Sequence, residues 1–354
     1  MVAAVANSLL VIAMGLSLLA GTTSPSAHDF IPVFGLFYPI MLLINICFIL
    51  FWLFVRSWFV LFPLIVILLG ISNLNDNFKI PFSEKSVKKD SSEIKVLSYN
   101  VQQFRNGFKK AQPEIETSIL TFLVDEKADL ICLQEYQSVG NKLYENIKDT
   151  RDELHSGTYY YESYYNPKYD LLSGLIIFSK YPAVNSGKLK MQGSRTFGIY
   201  TDLLINQDTV RVFNIHLASI KLEKEDLGFV AKPDQEQLKN KSLAIYQKLN
   251  SAFLLRERQT QVLLTTLDET HYPVILCGDF NDTPSSWVYH QLQKKLNDSF
   301  VEKGSGISTT FAGPIPFLRI DYILHSGFDT QHFERYRIKK SDHFPVSAIL
   351  KLTN

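Results

Sequence analysis

The stretch ILCGDFNDTPSS, residues 275–286, begins as an apolar strand and ends among polar side chains. Val274 to Cys277 have the character of a buried strand, but Gly278 is followed at once by Asp279, Asn281 and Asp282. Bringing two acids and an amide to the buried end of a strand is costly unless something compensates them. Other apolar runs end in the same way: KVLSYN at Asn100, LICLQE at Glu135, VFNIH at His216 and RID at Asp321, while SDH supplies Asp342 and His343. Taken singly, an Asn or Asp after a strand is a turn former or a helix cap. A lone Glu sits on a solvated face, and a lone His is hydrogen-bonded filler.

As a set the residues read differently. Carboxylates gathered at one rim repel and raise each other's pKa unless a cation lies among them. Oxygen and imidazole donors without a cysteine ligand point to a hard dication, Mg²⁺ or Mn²⁺, rather than structural zinc. Such a site suits hydrolysis of a phosphate ester, which needs an activated water, neutralised phosphoryl oxygens and help for the leaving oxygen. Asp279 can take a proton from water, Asn100 and Asn281 can donate hydrogen bonds, and His216 and His343 can meet the phosphate.

Working outward, short runs rich in Val, Ile, Leu, Phe and Tyr recur from Ile94 onward: IKVLSYNV, DLICLQEY, GLIIFSKY, IYTDLLIN, TVRVFNIHL, PVILCGDF, RIDYILHS and FPVSAILKL. Each is bounded by turn residues and predicts a strand. Helical periodicity predicts a helix from Glu114 to Glu126, with Ile115, Ile119, Phe122 and Leu123 on one face, and a long one over 234–269. IYTDLLINQDTVRVFNIHL predicts a hairpin turning at Asn206 to Asp208. Hairpins beside strand-helix-strand units make two packed sheets flanked by helices the economical architecture.

Residues 1–72 contain a single acid, Asp29, and a single base, Arg56. The remainder has the charge density of an ordinary globular protein, so the boundary falls near residue 75. The apolar runs predict about three membrane spans, near 2–20, 32–55 and 57–72, with Arg56 at the turn between the last two. A cleaved signal peptide is the rival reading of the first run, but MVAAVANS has no positive n-region. Arg56 at a cytoplasmic turn and a loop, GTTSPSAHDF, without Lys or Arg place the C-terminal region outside the cytoplasm, in the inner membrane if the source is bacterial. Lys79, Lys85, Lys88 and Lys89 argue the other way. The polar stretch FSEKSVKKDSSE makes 76–93 a linker, leaving 94–354 as the catalytic domain. Cys47, Cys132 and Cys277 show no metal-type spacing. A net charge of +1 excludes a surface that coats nucleic acid by charge alone, though not a local basic patch.

The ordered series LSYNVQQF, LICLQEY, FNIHLAS, CGDFNDTP, RIDYIL and SDHFPVSAIL resembles the endonuclease/exonuclease/phosphatase superfamily, over Ile94 to Leu352. The resemblance implies an α+β, four-layer α/β/β/α sandwich of the deoxyribonuclease I type, here preceded by a transmembrane helical region. It implies roles as well. Glu135 looks like the principal metal ligand, with Asn100 beside it and Asp342 as a further metal or water contact. Asp279 looks like the residue that orients or deprotonates the attacking water, and Asn281 like a donor to the phosphoryl group. His343 resembles the histidine that meets the scissile phosphate, with Asp321 orienting it. His216 stands where deoxyribonuclease-, sphingomyelinase- and phosphatase-like members carry histidine and apurinic endonucleases carry tyrosine, which disfavours abasic-site repair. The family's carboxylate partner for that histidine cannot be placed within YDLLSGLIIFSKYP.

Arg195 is a candidate phosphate contact, against a plain surface role. The tyrosines of TYYYESYYNPKYD, 158–170, suit half-buried strand positions or an aromatic face for a base or headgroup. LEKEDLGFVAKPDQEQLKN, from Leu222, suits the front of a helix or a loop over the site. The expected protein is a membrane-anchored, Mg²⁺- or Mn²⁺-dependent phosphodiesterase of nuclease-like character. A phospholipid-headgroup phosphodiesterase or phosphatase is the alternative, and a catalytically idle adaptor is the reading from another class. Its expected partners are a phosphate-ester substrate and the lipid bilayer; no protein partner is legible.

Overall fold

The computed structural model describes residues 1–80, 89–106, 111–137, 143–166, 171–191, 195–220, 235–313 and 315–353. The chain divides into two compact units. One comprises Met1–Asn73, Leu217–Gln261 and Asn281–Gln291, and the other Leu74–His216, Val262–Phe280 and Leu292–Asn354.

The second unit holds two mixed six-stranded sheets. In the first sheet the order is β13 (Phe328–Arg335), β14 (Val346–Leu352), β2 (Glu93–Asn100), β3 (Leu130–Tyr136), β5 (Leu171–Ser179) and β4 (Thr158–Asn166). In the second it is β10 (Asn297–Asp298), β12 (Asp321–Ser326), β9 (Val274–Asp279), β8 (Asp208–His216), β7 (Thr196–Ile205) and β6 (Ala183–Lys190). Only β2 with β3 and β8 with β9 run parallel; the other pairings are antiparallel. The expected α+β sandwich of two sheets flanked by helices is the fold observed.

Alternation along the strands builds two apolar layers. Val96, Cys132 and Ile177 meet Val212, Ile275, Cys277 and Ile323 between the sheets. Leu97, Tyr99, Ile131, Leu133 and Phe178 point the other way, with Ile119 and Leu123 of the Pro113–Glu126 helix and Ile147. The hairpin between β7 and β8 turns on Asn206 and Gln207, both at positive φ (50° and 78°), the backbone a two-residue turn needs to follow the strand twist. Two strands that the apolar pattern does not announce, β6 and β13, lie at sheet edges. β6 is mostly exposed, so it carries no alternation.

A polar bridge ties the sheets together near their ends. Asn214 of β8 donates from Nδ2 to the carbonyls of Leu133 and Ile176, each at 2.9 Å, and accepts from Gln134 Nε2 at 2.7 Å. Gln134 also donates to Ser98 Oγ at 3.2 Å. All of these side chains are buried, and the residues that follow on the same strands are Glu135 and His216.

The first unit contains the apolar N-terminal helices α1 (Val2–Leu19), α2 (Ile31–Leu36), α3 (Tyr38–Phe54) and α4 (Leu61–Leu69). α1 and α3 run antiparallel: Trp52 donates to Asn7 at 2.9 Å, Asn45 meets Met14 Sδ at 3.3 Å, and Met14, Tyr38, Met41 and Val66 form the shared core. Among the described residues α1 is the one helix that by itself is long and apolar enough to cross a membrane. The stretch expected as a span near 32–55 is two helices that meet at Phe37, and α3 has 17 residues. The stretch near 57–72 begins with a 3-10 turn and bends by 68° between Trp58–Leu69 and the helix α5 (Ile71–Asn77). Arg56 sits at the α3–α4 turn with φ of 51°.

The expected linker, 76–93, is structured at both ends, and 81–88 lies outside the described residues. Phe78–Lys79 pairs with Gly306–Ile307, the Asn77 carbonyl accepts from Ser308 Oγ at 2.9 Å, and Lys89 pairs with Asp129. Backbone pairing and an ion pair hold residues whose polar composition alone reads as a tether.

Replacing the inter-sheet amide, Asn214→Ala, leaves Gln134 and two carbonyls short of a buried partner. The expected loss is about 2–3 kcal/mol of unfolding free energy, read from urea unfolding followed by near-UV circular dichroism; an unchanged midpoint would remove Asn214 as a bridge.

Candidate active site

Register brings three of the expected residues together without any help from loops. β9 is the central strand: His216 pairs with Asp279 across the parallel β8–β9 ladder, and Asp321 pairs with Asp279 across β9–β12. Gly278 makes that ladder possible. Its φ is +149°, and a Cβ there would lie 2.1 Å from the Ile215 carbonyl oxygen. Any side chain would push β8 and β9 apart at the pair just before His216 and Asp279.

From the other sheet, Asn100 ends β2 and Glu135 lies near the end of β3. Glu135 has φ of 52°, inside an irregularity of the β3–β5 pairing between Leu133 and Tyr136. A bulge of this kind re-aims one side chain, here a carboxylate. Asn100 Nδ2 donates to Asp279 Oδ2 at 3.0 Å. His216 Nε2 lies 3.5 Å from Asp279 Oδ2 and 3.8 Å from Glu135 Oε1. Just before β14, His343 Nδ1 contacts both Asp321 oxygens, at 2.9 and 3.1 Å, which turns its Nε2 to 3.7 Å from Asp279 Oδ2. Asp342 Oδ1 lies 3.9 Å from the same Nε2. Asn100, Glu135, His216, Asp279, Asp321, Asp342 and His343 therefore form one connected cluster.

The remaining two expected residues are Arg195 and Asn281. Arg195 is exposed, just ahead of β7. Asn281, two residues after Asp279, belongs to the first unit, where it has φ of 51° and its Nδ2 donates to the Leu217 carbonyl at 3.1 Å. Its own carbonyl accepts from Arg256 Nη1 at 2.8 Å, and Arg256 Nε lies 3.0 Å from Asp282 Oδ2. Tyr160 and Tyr161 are half-buried on β4. Asp170 of YDLLSGLIIFSKYP and residues 221–234, where a loop over the site was expected, lie outside the described residues.

Comparisons with known proteins bear on the family and the fold. The model of the Endonuclease/Exonuclease/phosphatase family matches residues 97–343, and a domain of unknown function (DUF8431) matches residues 1–77. The chain belongs to the endonuclease/exonuclease/phosphatase family. Among solved structures, an endonuclease/exonuclease/phosphatase from Beutenbergia cavernae is 15% identical with a TM-score of 0.55, covering 74% of this chain and 72% of that one. The human Nocturnin catalytic domain is 17% identical with a TM-score of 0.53, covering 75% and 97%. A family protein from Leptotrichia buccalis is 14% identical with a TM-score of 0.51, covering 73% and 100%. At these identities they establish the shared fold. No curated protein matches the sequence.

Family members are hydrolases acting on phosphoester bonds, and they typically use divalent metals. The residues here fit such an ion. Burial pushes the Asp342 carboxyl up, and Glu135 and Asp279 push it the same way. Burial likewise raises Asp321, with Asp279 adding to it against the pull of His343. A dication relieves that crowding. Asp279, Asp321 and His343 are the tightest group of potential ligands, all buried. Asp321, however, spends both oxygens on His343. The half-buried Glu135 and Asp342, with Asn100, are better placed to hold an ion that also meets a substrate. Burial works against a charge on His343, but Asp321, Asp279 and Asp342 outweigh it and push its pKa from 6.5 up to about 10.

Two residues outside the expected set position the cluster. Gln102 Nε2 donates to Asp342 Oδ2 at 2.7 Å, and Gln103 Nε2 to Glu135 Oε2 at 3.1 Å. Gln102, Gln103 and Phe104 all have positive φ, and the Gln102 amide donates to Asn100 Oδ1 at 3.0 Å. Two adjacent glutamines, one residue beyond a strand-ending Asn, were the available signal. Within the first unit, Arg256 is fully buried, contacts Asn281 and Asp282 and donates to the Ala218 carbonyl at 3.0 Å. Its signal was a cation on the apolar face of a helix, among Leu249, Ala252, Phe253 and Leu263.

The raised His343 pKa carries a stability prediction for chelator-treated protein. Its contribution is complete below the unfolded value, about 6.5, and disappears as pH rises through about 10. Stability should fall across that window and fall less in Asp321→Asn, with thermal melts at stepped pH as the readout; parallel profiles for the two proteins would refute the pairing.

Proposed function

We propose that this protein is a membrane-anchored, Mg²⁺- or Mn²⁺-dependent phosphoesterase that cleaves a phosphodiester by direct attack of water, without a covalent enzyme intermediate. The observation that carries the reading is the buried Asp279 carboxylate, 1% exposed, with Asn100, His216 and His343 disposed around its oxygens. A carboxylate so placed accepts a proton from a water held against the substrate.

A divalent ion on Glu135 and Asp342 would supply Lewis-acid polarisation of a phosphoryl oxygen. The remaining work falls to the chain. Asp279 takes the proton as the water oxygen bonds to phosphorus and the opposite phosphorus–oxygen bond breaks. Asn100 holds the Asp279 carboxylate in register. His343, kept protonated by Asp321, and His216 present N–H donors to the phosphoryl oxygens, where charge accumulates. Asn281 is a further donor in this reading, with its backbone held by Arg256.

Anchoring rests on α1 together with the apolar α3 and α4. With Arg56 at the α3–α4 turn and no Lys or Arg between Gly21 and Phe37, the positive-inside rule favours the catalytic residues on the extracytoplasmic side. A nuclease-like diester hydrolase is the general form of the proposal. The headgroup-specific alternative shares every catalytic residue with it.

Asp279→Asn and His343→Ala should each lower metal-dependent turnover of bis(p-nitrophenyl) phosphate by about a hundredfold or more, with the fold retained by circular dichroism. Turnover within twofold of the parent would remove either residue from the chemistry. Glu135→Gln should shift the Mg²⁺ titration about tenfold or more to higher concentration; a superimposable titration would exclude Glu135 as a ligand.

A further inference from the structure

Asp321 opens β12 in one sheet, and His343 lies just ahead of β14 in the other. Their side chains meet across the sandwich, so no strand ladder sets the distance between them. A short run, Ser308–Ala312, bonds to both segments. Toward β12, the Thr310 and Phe311 amides donate to the Leu318 carbonyl at 2.9 and 3.1 Å. Toward β14, the Phe344 amide donates to the Thr310 carbonyl and the Ala312 amide to the Asp342 carbonyl, each at 2.7 Å. The Phe311 ring packs on the His343 imidazole at a steep angle, 68° between planes and 5.4 Å between centroids. The run is tied down at its start, where Ser308 donates from N and Oγ to the Asn77 carbonyl at 3.2 and 2.9 Å.

Within this run the Thr310 side chain reaches Asp321. It is buried, 1% exposed, and its Oγ1 accepts from the Ile320 and Asp321 amides at 2.9 and 3.0 Å. A hydroxyl has two lone pairs and one proton. With both lone pairs occupied, the proton remains, and the Asp321 carboxylate accepts it. Against the burial that raises Asp321, hydrogen bonds from His343 and Thr310 favour its ionised form.

One residue thus fixes both the backbone where Asp321 begins its strand and the torsion of its carboxylate. That torsion joins an sp³ to an sp² carbon and is soft by itself. A freely turning carboxylate would accept from His343 at many ring orientations. Held as it is, it meets Nδ1 with both oxygens, at 2.9 and 3.1 Å, and Nε2 is left facing Asp279 Oδ2 at 3.7 Å.

We infer that Thr310 is a positioning residue for phosphoester hydrolysis, acting through Asp321 to aim Nε2 of His343 at the phosphoryl group. The inference rests on the phosphoesterase reading and adds to it a residue that does not touch substrate. A plain turn role for Thr310 would need only the two accepted amide bonds. The positioning role needs the donated bond as well. Charge on the phosphoryl oxygens grows in the transition state, so a misaimed imidazole lowers kcat while leaving KM nearly unchanged.

The test uses the full chain in detergent with Mg²⁺ and bis(p-nitrophenyl) phosphate. Thr310→Val keeps the side chain's shape and removes the hydroxyl, whereas Thr310→Ser keeps the hydroxyl and removes a methyl group. Thr310→Val should lower kcat about tenfold or more with KM within about twofold, and Thr310→Ser should stay within about threefold of the parent. A double-mutant cycle with Asp321→Ala supplies the second measurement. With the group through which Thr310 acts already gone, Thr310→Val should cost less than about a further twofold.

An unchanged kcat in Thr310→Val, equal losses in the Val and Ser variants, or the full loss repeated in the Asp321→Ala background would each overturn the positioning role. Turnover that still depends on Asp279 would then leave the phosphoesterase standing. Absence of turnover in the parent protein would remove both. Should Thr310→Val not fold, Thr310→Cys, whose thiol is a weak donor and acceptor, decides on the same ratios.

Discussion

The arrangement depends on satisfying one carboxylate where water has been largely removed. Asp279 is buried to 1% exposure in the middle of its sheet, and a polar group there needs donors arranged in advance. Asn100 and the two histidines provide them, and each reaches Asp279 from a different strand or strand end. Burial, with neighbouring carboxylates adding to it, raises Asp321 and Asp342, and a dication would relieve that crowding.

The backbone bears part of the cost. Glu135, Gln102, Gln103, Phe104 and Asn281 all adopt positive φ, in a region that residues with a Cβ enter only at some cost. All five lie within the segments that carry the proposed acids and amides. Gly278 plays the complementary part, removing a side chain so that two strands can approach. The Asn214 bridge holds the sheets at the level where these segments emerge, so local strain is resisted by the sandwich rather than relieved by it.

How much of this was legible in the sequence follows from the same physics. Central strands advertise themselves because both faces are apolar, as in β2, β3, β8 and β9. Their polar terminal residues therefore stand out, which is why Asn100, Glu135, His216 and Asp279 could be chosen before any fold was known. The edge strands β6 and β13 lack that signal, having one face in water. Within the expected linker, Phe78–Lys79 is held by backbone pairing, which leaves no compositional trace. Gln102 and Gln103 lie in LSYNVQQF and Arg256 in the helix expected over 234–269, and their importance lies in which side chain they reach, which is set by φ and register rather than by residue type.

The N-terminal region teaches a related lesson about length. Hydropathy treats 32–55 as one continuous run, but a span needs uninterrupted backbone hydrogen bonding, and the chain turns at Phe37 between α2 and α3. The break sits next to Gly35, whose missing side chain admits the Ser285 carbonyl. An uninterrupted helix through 32–55 would carry Gly35 along the bundle axis instead of presenting it to Thr283 and Ser285. The bend at Gly70 acts in the same way, turning Asn73 toward Ser285. Both interruptions of the apolar helices coincide with their contacts to Thr283 and Ser285 of the same unit.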